Sequence, residues 1–455
     1  VNSAPLSWLG IVRVGMVQAA LGAIVVLATS TMNRVMVVEL ALPAILPGAL
    51  VGWHYAVQIM RPRFGFGSDM GGRRTPWIIG GMATLGAGSV LAALSIGWME
   101  TSTAAGIALA ILGFLLIGVG VGAAGTSLLV LLATRVEERR RAAAATLVWL
   151  MMIVGFVVST LVVGQLLDPY SAARLLALTT AVSVVALCVT LAAVYRIEAP
   201  RTPQATATAQ GDTEVPAKPS FREALAQVWG EPQARRFTIF IFVSMLAYSA
   251  QDLILEPFAG SVFGMTPGQS TTLAGVQHGG VLVGMLLVAL CCTVIGGPRL
   301  GSLRMWTVIG CLASALMLLG LAIAGWVGGD WPLKQNVFLL GVANGAFAVA
   351  AIGSMMSFAG AGRESREGVR MGLWGASQAI AFAVGGFCGA AASDLARVWF
   401  DSQGLAYGLV FAAEAVLFLL AASLAANLAR PLTAAHPQQS HRTLPTALAS
   451  QETPA

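Results

Sequence analysis

Apolar runs of about twenty residues recur along nearly the whole chain, and they limit it to very few folds. Crossing about 30 Å of hydrocarbon as a helix takes roughly 20 mostly apolar residues. Twelve runs of that kind stand at 12–32, 40–60, 76–97, 104–134, 142–167, 172–195, 237–257, 270–295, 303–327, 333–360, 370–393 and 404–428. Inside a bilayer every backbone N–H and C=O must be bonded within the protein, which leaves helices and closed barrels. Barrel strands alternate polar and apolar over about ten residues, and these runs do not alternate. Composition agrees: the 455 residues are 57% hydrophobic with mean hydropathy +0.80. The expected class is an all-α polytopic membrane protein with twelve transmembrane helices.

Basic residues set its orientation. All but four of the 26 Lys and Arg residues fall on one side, the exceptions being Arg34, Arg174, Lys334 and Arg397. Both termini are therefore expected to be cytoplasmic. The net charge of +6 reflects this bias and gives no indication of nucleic-acid binding. The five cysteines (Cys188, Cys291, Cys292, Cys311, Cys388) all lie within the apolar runs without a CxxC pair, so they read as buried small hydrophobes. The first run has no small-residue cleavage site and reads as a retained helix.

The segment "RIEAPRTPQATATAQGDTEVPAKPS" (Arg196 to Ser220) loses all apolar period and reads as a cytoplasmic linker. It divides an N-terminal bundle (1–195) from a C-terminal one (237–430), the linker region being 196–236 and the disordered tail 431–455. Ser220 and Glu223 form a capping box, after which Phe221, Leu225, Val228 and Trp229 share one face of a short amphipathic surface helix. The halves echo each other. Arg141 precedes Trp149 by eight residues, as Arg366 precedes Trp374; Pro43 precedes His54 by eleven, as Pro267 precedes His278.

The loop "RPRFGFGSDMGGRRTP" (Arg61 to Pro76) carries the pattern Gly65, Asp69, Gly72, Arg73, Arg74. It resembles the loop between helices two and three of the major facilitator superfamily, which implies a 6+6 bundle of parallel repeats. Glycines allow the tight turn, and the arginines hold the loop on the cytoplasmic side. Met70 stands where that family usually has a basic residue, and the second half has only "GGPRLGSLR", without an acid.

Three further stretches resemble the PucC-like, bacteriochlorophyll-delivery branch: "TSTMNRVMVVELALPAILPGALV", "GSDMGGRRTPWIIGG" and "LIGVGVGAAGTSLLVLLATRV". The short loop is most similar to the sub-branch labelled an accessory chain of bacteriochlorophyll synthase. The resemblance implies a protein of the photosynthetic inner membrane that handles bacteriochlorophyll or a late precursor. Its implied partners are light-harvesting apoproteins or late pigment-biosynthesis enzymes. It implies no intrinsic cofactor.

Bacteriochlorophyll carries a magnesium that takes an axial ligand, and imidazole is a suitable donor. His54 and His278 lie within runs at matched positions; Trp53 and Tyr55 flank the first, and small residues surround the second. The bland alternative is packing glue between helices. Arg34 and Glu39, with Asp252 and Glu256 in the comparable region of the seventh run, are candidate outer-mouth gating residues or local ion pairs. Glu414 lies mid-run and must be protonated or hydrogen-bonded there. The Gly118/Gly122, Gly341/Gly345 and Gly385/Gly389 pairs permit close helix packing. The sequence has no nucleophile elbow, HExxH, Walker loop or paired aspartates for Mg-diphosphate, so an enzyme is not expected. The alternatives are a proton-coupled small-solute transporter and a non-catalytic scaffold for late pigment synthesis.

Overall fold

The computed structural model describes residues 6–61, 73–137, 140–198, 229–292, 302–360, 367–400 and 402–428. These residues form helical rods α1 (Trp8–Glu39), α2 (Ile45–Met60), α3 (Thr75–Met99), α4 (Thr103–Arg135), α5 (Arg141–Leu166) and α6 (Ala172–Val194). The second set comprises α7 (Pro232–Phe263), α8 (Pro267–Leu290), α9 (Leu303–Val327), α10 (Leu333–Gly360), α11 (Glu367–Trp399) and α12 (Gln403–Leu428). Eleven are long and apolar enough to cross a bilayer, and α2 is a shorter apolar helix. The protein is a multi-pass helical membrane protein.

Local chemistry sets the ends. Ser7, Ser171 and Ser302 accept from the third residue on, capping α1, α6 and α9. Thr266 and Gln269 form a reciprocal capping box on α8, with Pro267 at its first position. Gly264 (φ +64°) stops α7 in the left-handed region that a Cβ disfavours.

Three ends depart from the sequence expectation. The first helix passes residue 32 and continues to Glu39 through two wide turns, in which Met32 N–H bonds Leu27 C=O and Leu40 N–H bonds Val35 C=O, each five residues back. The second starts at Ile45 rather than residue 40, because Ala41 sits at φ +49° and Pro43 offers no N–H. The seventh runs from Pro232 and carries Pro257 inside it to reach Phe263.

Helices six apart keep equivalent neighbours. In the first half α1 packs on α5, α2 on α4 and α3 on α6; in the second, α7 packs on α11, α8 on α10 and α9 on α12. Each half has its own apolar core, one running from Ile11 to Ile197 and the other from Phe237 to Ala425. Two helix pairs, α5–α8 and α2–α11, join the halves along a seam, helped by the last turns of α1 against α7. Of the glycines singled out above, Gly118, Gly341, Gly345, Gly385 and Gly389 pack closely on other helices of this chain. A Cβ on Gly345 would come 2.1 Å from Val281 O, and one on Gly385 2.6 Å from Leu246 O.

The first and last described residues, Leu6 and Leu428, lie on one face, here called inner: Leu6 N–H bonds Arg135 O at 2.7 Å, and Arg304 bonds Ala426 O near the C-terminal end of α12. Trp98, Trp326 and Trp399 stand exposed near the opposite, outer ends of their helices, as in an interfacial aromatic belt.

The cysteine reading needs correction. Cys291 and Cys311 are buried, but Cys188 and Cys388 face out of the bundle, because their helices bury only one side. The repeated tryptophans also differ: Trp374 is buried against Phe237 at 4.9 Å, whereas Trp149 is exposed. Gly65, Asp69, Met70, Gly72, Glu364, Arg366 and nearly all of the expected linker helix lie outside the described residues.

Candidate functional site

The seam between the halves is where buried polar side chains gather. At its outer end α1 turns Ser30, Thr31, Asn33 and Arg34 toward the second half. Ser30 bonds Glu256, Thr31 and Thr271 hydroxyls lie 3.1 Å apart, and Asn33 donates to Leu253 O. Arg34, with a side chain only 2% exposed, pairs with Glu39 and donates to Met265 O at 2.6 Å. A charge so buried survives because both neighbours accept from it. Asp168, beyond α5, accepts from the Thr266 hydroxyl and from Gly268 N–H at 3.1 Å. Asp394 on α11 accepts from Ala44 N–H (3.0 Å) and Ile45 N–H (2.7 Å), capping α2 from the opposite half. A cavity of about 740 Å³ sits over this end, lined by Arg34, Glu39, Asp168, Tyr170 and Thr266 among others.

Deeper in the seam, Tyr55 of α2 packs on Phe382 of α11 with ring centroids 5.3 Å apart, and Tyr248 of α7 packs on the same ring at 6.0 Å. Asp252 lies within electrostatic reach of both tyrosines, and its carboxyl meets the Gln277 side chain. His278 of α8 meets the edge of Phe156 of α5, ring centroids 4.9 Å apart. Its Nδ1 lies 2.9 Å from Ala274 O. An Nδ1–H donated to that carbonyl leaves the Nε2 lone pair free, the arrangement an axial metal ligand needs.

His54 is built differently. It is 1% exposed, its Nε2 lies 2.9 Å from Gln58 Nε2, its Nδ1 has no partner, and Gly118 of α4 packs on its backbone oxygen. Trp53, its chain neighbour, faces out of the bundle and lines a shallow apolar cavity of about 330 Å³ with Leu46, Leu50 and Ile111. The two repeat-matched histidines thus stand in unlike surroundings. Glu414 is buried on the inward face of α12.

On the inner face, Arg73 is exposed at the end of the loop motif. The start of α3 is held by Glu198, which accepts from Arg74 N–H (2.9 Å), Thr75 N–H (2.8 Å) and the Thr75 hydroxyl (2.7 Å). Glu198, Ser30 and Asp394 escaped sequence reasoning; their partners lie 123 to 350 positions away. Among the described residues no group of three or more His, Cys, Asp or Glu side chains is arranged to hold a metal ion.

A family model described as PUCC protein matches residues 31–432. The chain belongs to the PUCC family. This family member is 50% identical, over 92% of its length and 95% of the other's, to a protein from Rhodobacter capsulatus named bacteriochlorophyll synthase 44.5 kDa chain. It is 29% identical to Protein PucC of the same organism, over 93% of its own length and 92% of that chain. Among solved structures it is similar to the nucleoside transporter NupG (TM-score 0.62, 13% identity, 92% of this chain and 98% of that one). A bacterial homolog of the human lysosomal transporter Spinster, inward-facing and occupied, gives TM-score 0.65 at 14% identity, covering 92% and 96%. At such identities the likeness is one of fold, and the fold is that of major facilitator transporters.

Proposed function

We propose that this PUCC family member handles bacteriochlorophyll, or a late precursor, in the inner membrane of a photosynthetic bacterium. It supports pigment biosynthesis and delivery to light-harvesting apoproteins. The observation that carries the reading is the 50% identity, across nearly both full lengths, to a chain named for bacteriochlorophyll synthase. The role is non-catalytic: the chain offers a seam between two bundles, and the ester-forming chemistry belongs to a partner enzyme. The pigment is cargo, held reversibly by a state-dependent site. His278 is the favoured axial ligand, with Nδ1 occupied by Ala274 O and Nε2 free beside the Phe156 ring. His54, with Nε2 turned to Gln58, is the second candidate.

The transporter-like fold keeps one other reading in view, a proton-coupled small-solute transporter. An absorption spectrum of the full chain purified in mild detergent from bacteriochlorophyll-making cells separates the two. A near-infrared band in stoichiometric amount is expected, lost in His278→Ala and retained in His54→Ala. A colourless protein, prepared from membranes whose other proteins keep their pigment, refutes pigment holding.

A further inference from the structure

The second half contains two buried acids whose hydrogen bonding is incomplete: Asp252 lacks a partner on one carboxyl oxygen and Glu414 on both. Glu414 lies on α12 between Phe411 and Phe418, both fully buried, and is itself 2% exposed. Neither of its carboxyl oxygens has a partner. Helix α7 packs on α12 and carries Asp252, which lies within electrostatic reach of Glu414 and whose Oδ1 is also buried and unpartnered. An ionised carboxylate stripped of water and of hydrogen bonds costs several kcal/mol, and two acids within mutual reach cannot both bear that cost.

Among the described side chains no basic group is bonded to Glu414 or Asp252, and on α7 Arg235 and Arg236 are exposed near the inner end, about four to five turns from Asp252. On α11, Arg397 is bonded to Tyr407 of α12 and lies 3.8 Å from Asp394. On α9, Arg304 is bonded to Ala426 O, and the other titratable group, Cys311, is uncharged as a thiol. Along α12, Tyr407 and Ala426 stand seven and twelve residues from Glu414, or about 10 and 18 Å at 1.5 Å per residue. On α10, Lys334 is exposed at the helix start. Around Asp252, α1 presents Arg34, engaged by Glu39 and Met265 O; α2 presents His54 and Tyr55, with Arg61 just past its end bonded to Gln58; and α8 presents His278, bonded to Ala274 O. On α7 itself, Tyr248 and Glu256 flank Asp252, and Glu256 already has the Ser30 and Thr271 hydroxyls.

We propose that Asp252 and Glu414 form a proton-binding site that holds at least one proton at neutral pH while the outer seam is closed, and releases it to water when the seam opens beside Asp252. The step breaks one carboxyl O–H bond, leaves the electron pair on the carboxylate and passes the proton to water. Nothing is oxidised or reduced. Asp252 is the link, because its helix packs both on α12 and on the last turns of α1, its carboxyl meets Gln277, and it lies within electrostatic reach of Tyr55 of the other half as well as of Glu414. The inference holds for any cargo and stands or falls apart from pigment binding.

Infrared difference spectroscopy of the purified full chain tests the protonation. At neutral pH a protonated-carboxyl C=O band that shifts in heavy water is expected, diminished in both Glu414→Gln and Asp252→Asn. Absence of that band in the unmodified chain, or a band that survives both variants and disappears only in Glu256→Gln, overturns the site. Coupling is read from thiol labelling at Thr31→Cys, with the five native cysteines changed to Ala. One linked proton changes the open-to-closed ratio by up to about tenfold per pH unit. Labelling should therefore rise with pH, and the rise should flatten in Glu414→Gln. A pH dependence that is absent, or identical in the variant, overturns the coupling.

Discussion

Asp394→Ala is expected to unlock the outer seam without unfolding either half. The carboxylate is the only side chain among the described residues seen to cap α2, and it does so from α11, across the seam, through Ala44 N–H and Ile45 N–H. Losing a cap costs about 1 kcal/mol, and a hydrogen bond to a charged group contributes about 1.5–3 kcal/mol. Asp394 is 23% exposed and also lies beside Arg397, so water recovers part of that loss. A net of about 2 kcal/mol, specific to the closed arrangement, shifts the open-to-closed ratio about 30-fold. The assay is labelling by a membrane-impermeant thiol reagent at Thr31→Cys, a position 0% exposed when the seam is closed. Asp394→Asn keeps one accepting oxygen and should give about half the free-energy effect, or about fivefold. Labelling unchanged in Asp394→Ala, or faster in Asn than in Ala, would refute the idea that this carboxylate holds the halves together.

Other perturbations sort equally well. Glu198→Ala removes three accepted hydrogen bonds at the start of α3, and hydrogen exchange at Thr75 to Ile78 should quicken by about tenfold, as a loss of about 1.4 kcal/mol requires. Gly345→Val should lower the thermal midpoint sharply in detergent, because its Cβ would lie 2.1 Å from Val281 O; Gly279→Ala, with nothing within 4 Å, should leave the midpoint unchanged. Cys188 and Cys388 face out of the bundle, so in membranes they should react with a lipid-soluble maleimide faster than buried Cys311 does. Equal rates would place all three alike.

The helices were legible because each must satisfy its own backbone in hydrocarbon, a demand written into every apolar run. Their ends were less so. The late start of α2 depends on Ala41 at positive φ, and the length of α1 on two five-residue hydrogen bonds; neither leaves a compositional mark. Arg34 and Glu39 could be paired on paper, being five residues apart, and they do pair. Glu256 could be named as a polar residue of the seam, but Ser30, its partner, looked like any other small residue of the first helix. The histidines show the limit most plainly. Matched spacing put His54 and His278 at equivalent heights, and only packing reveals that one is turned to Gln58 and the other to a backbone carbonyl and the edge of Phe156.

The two wide turns of α1 have a consequence for how this helix tolerates change. Each accommodates one residue beyond the ordinary turn, so the outer end is rotated by about 100° per wide turn relative to an unbroken α-helix. The offset of the first turn, Leu27–Thr31, is what lets Asn33 and Arg34 address the second half alongside Ser30. Removing one residue between Leu27 and Thr31 would leave a continuous and more regular helix while swinging Asn33 and Arg34 off their partners. In α1, then, a one-residue deletion should do what no conservative substitution can: keep the span and lose the address.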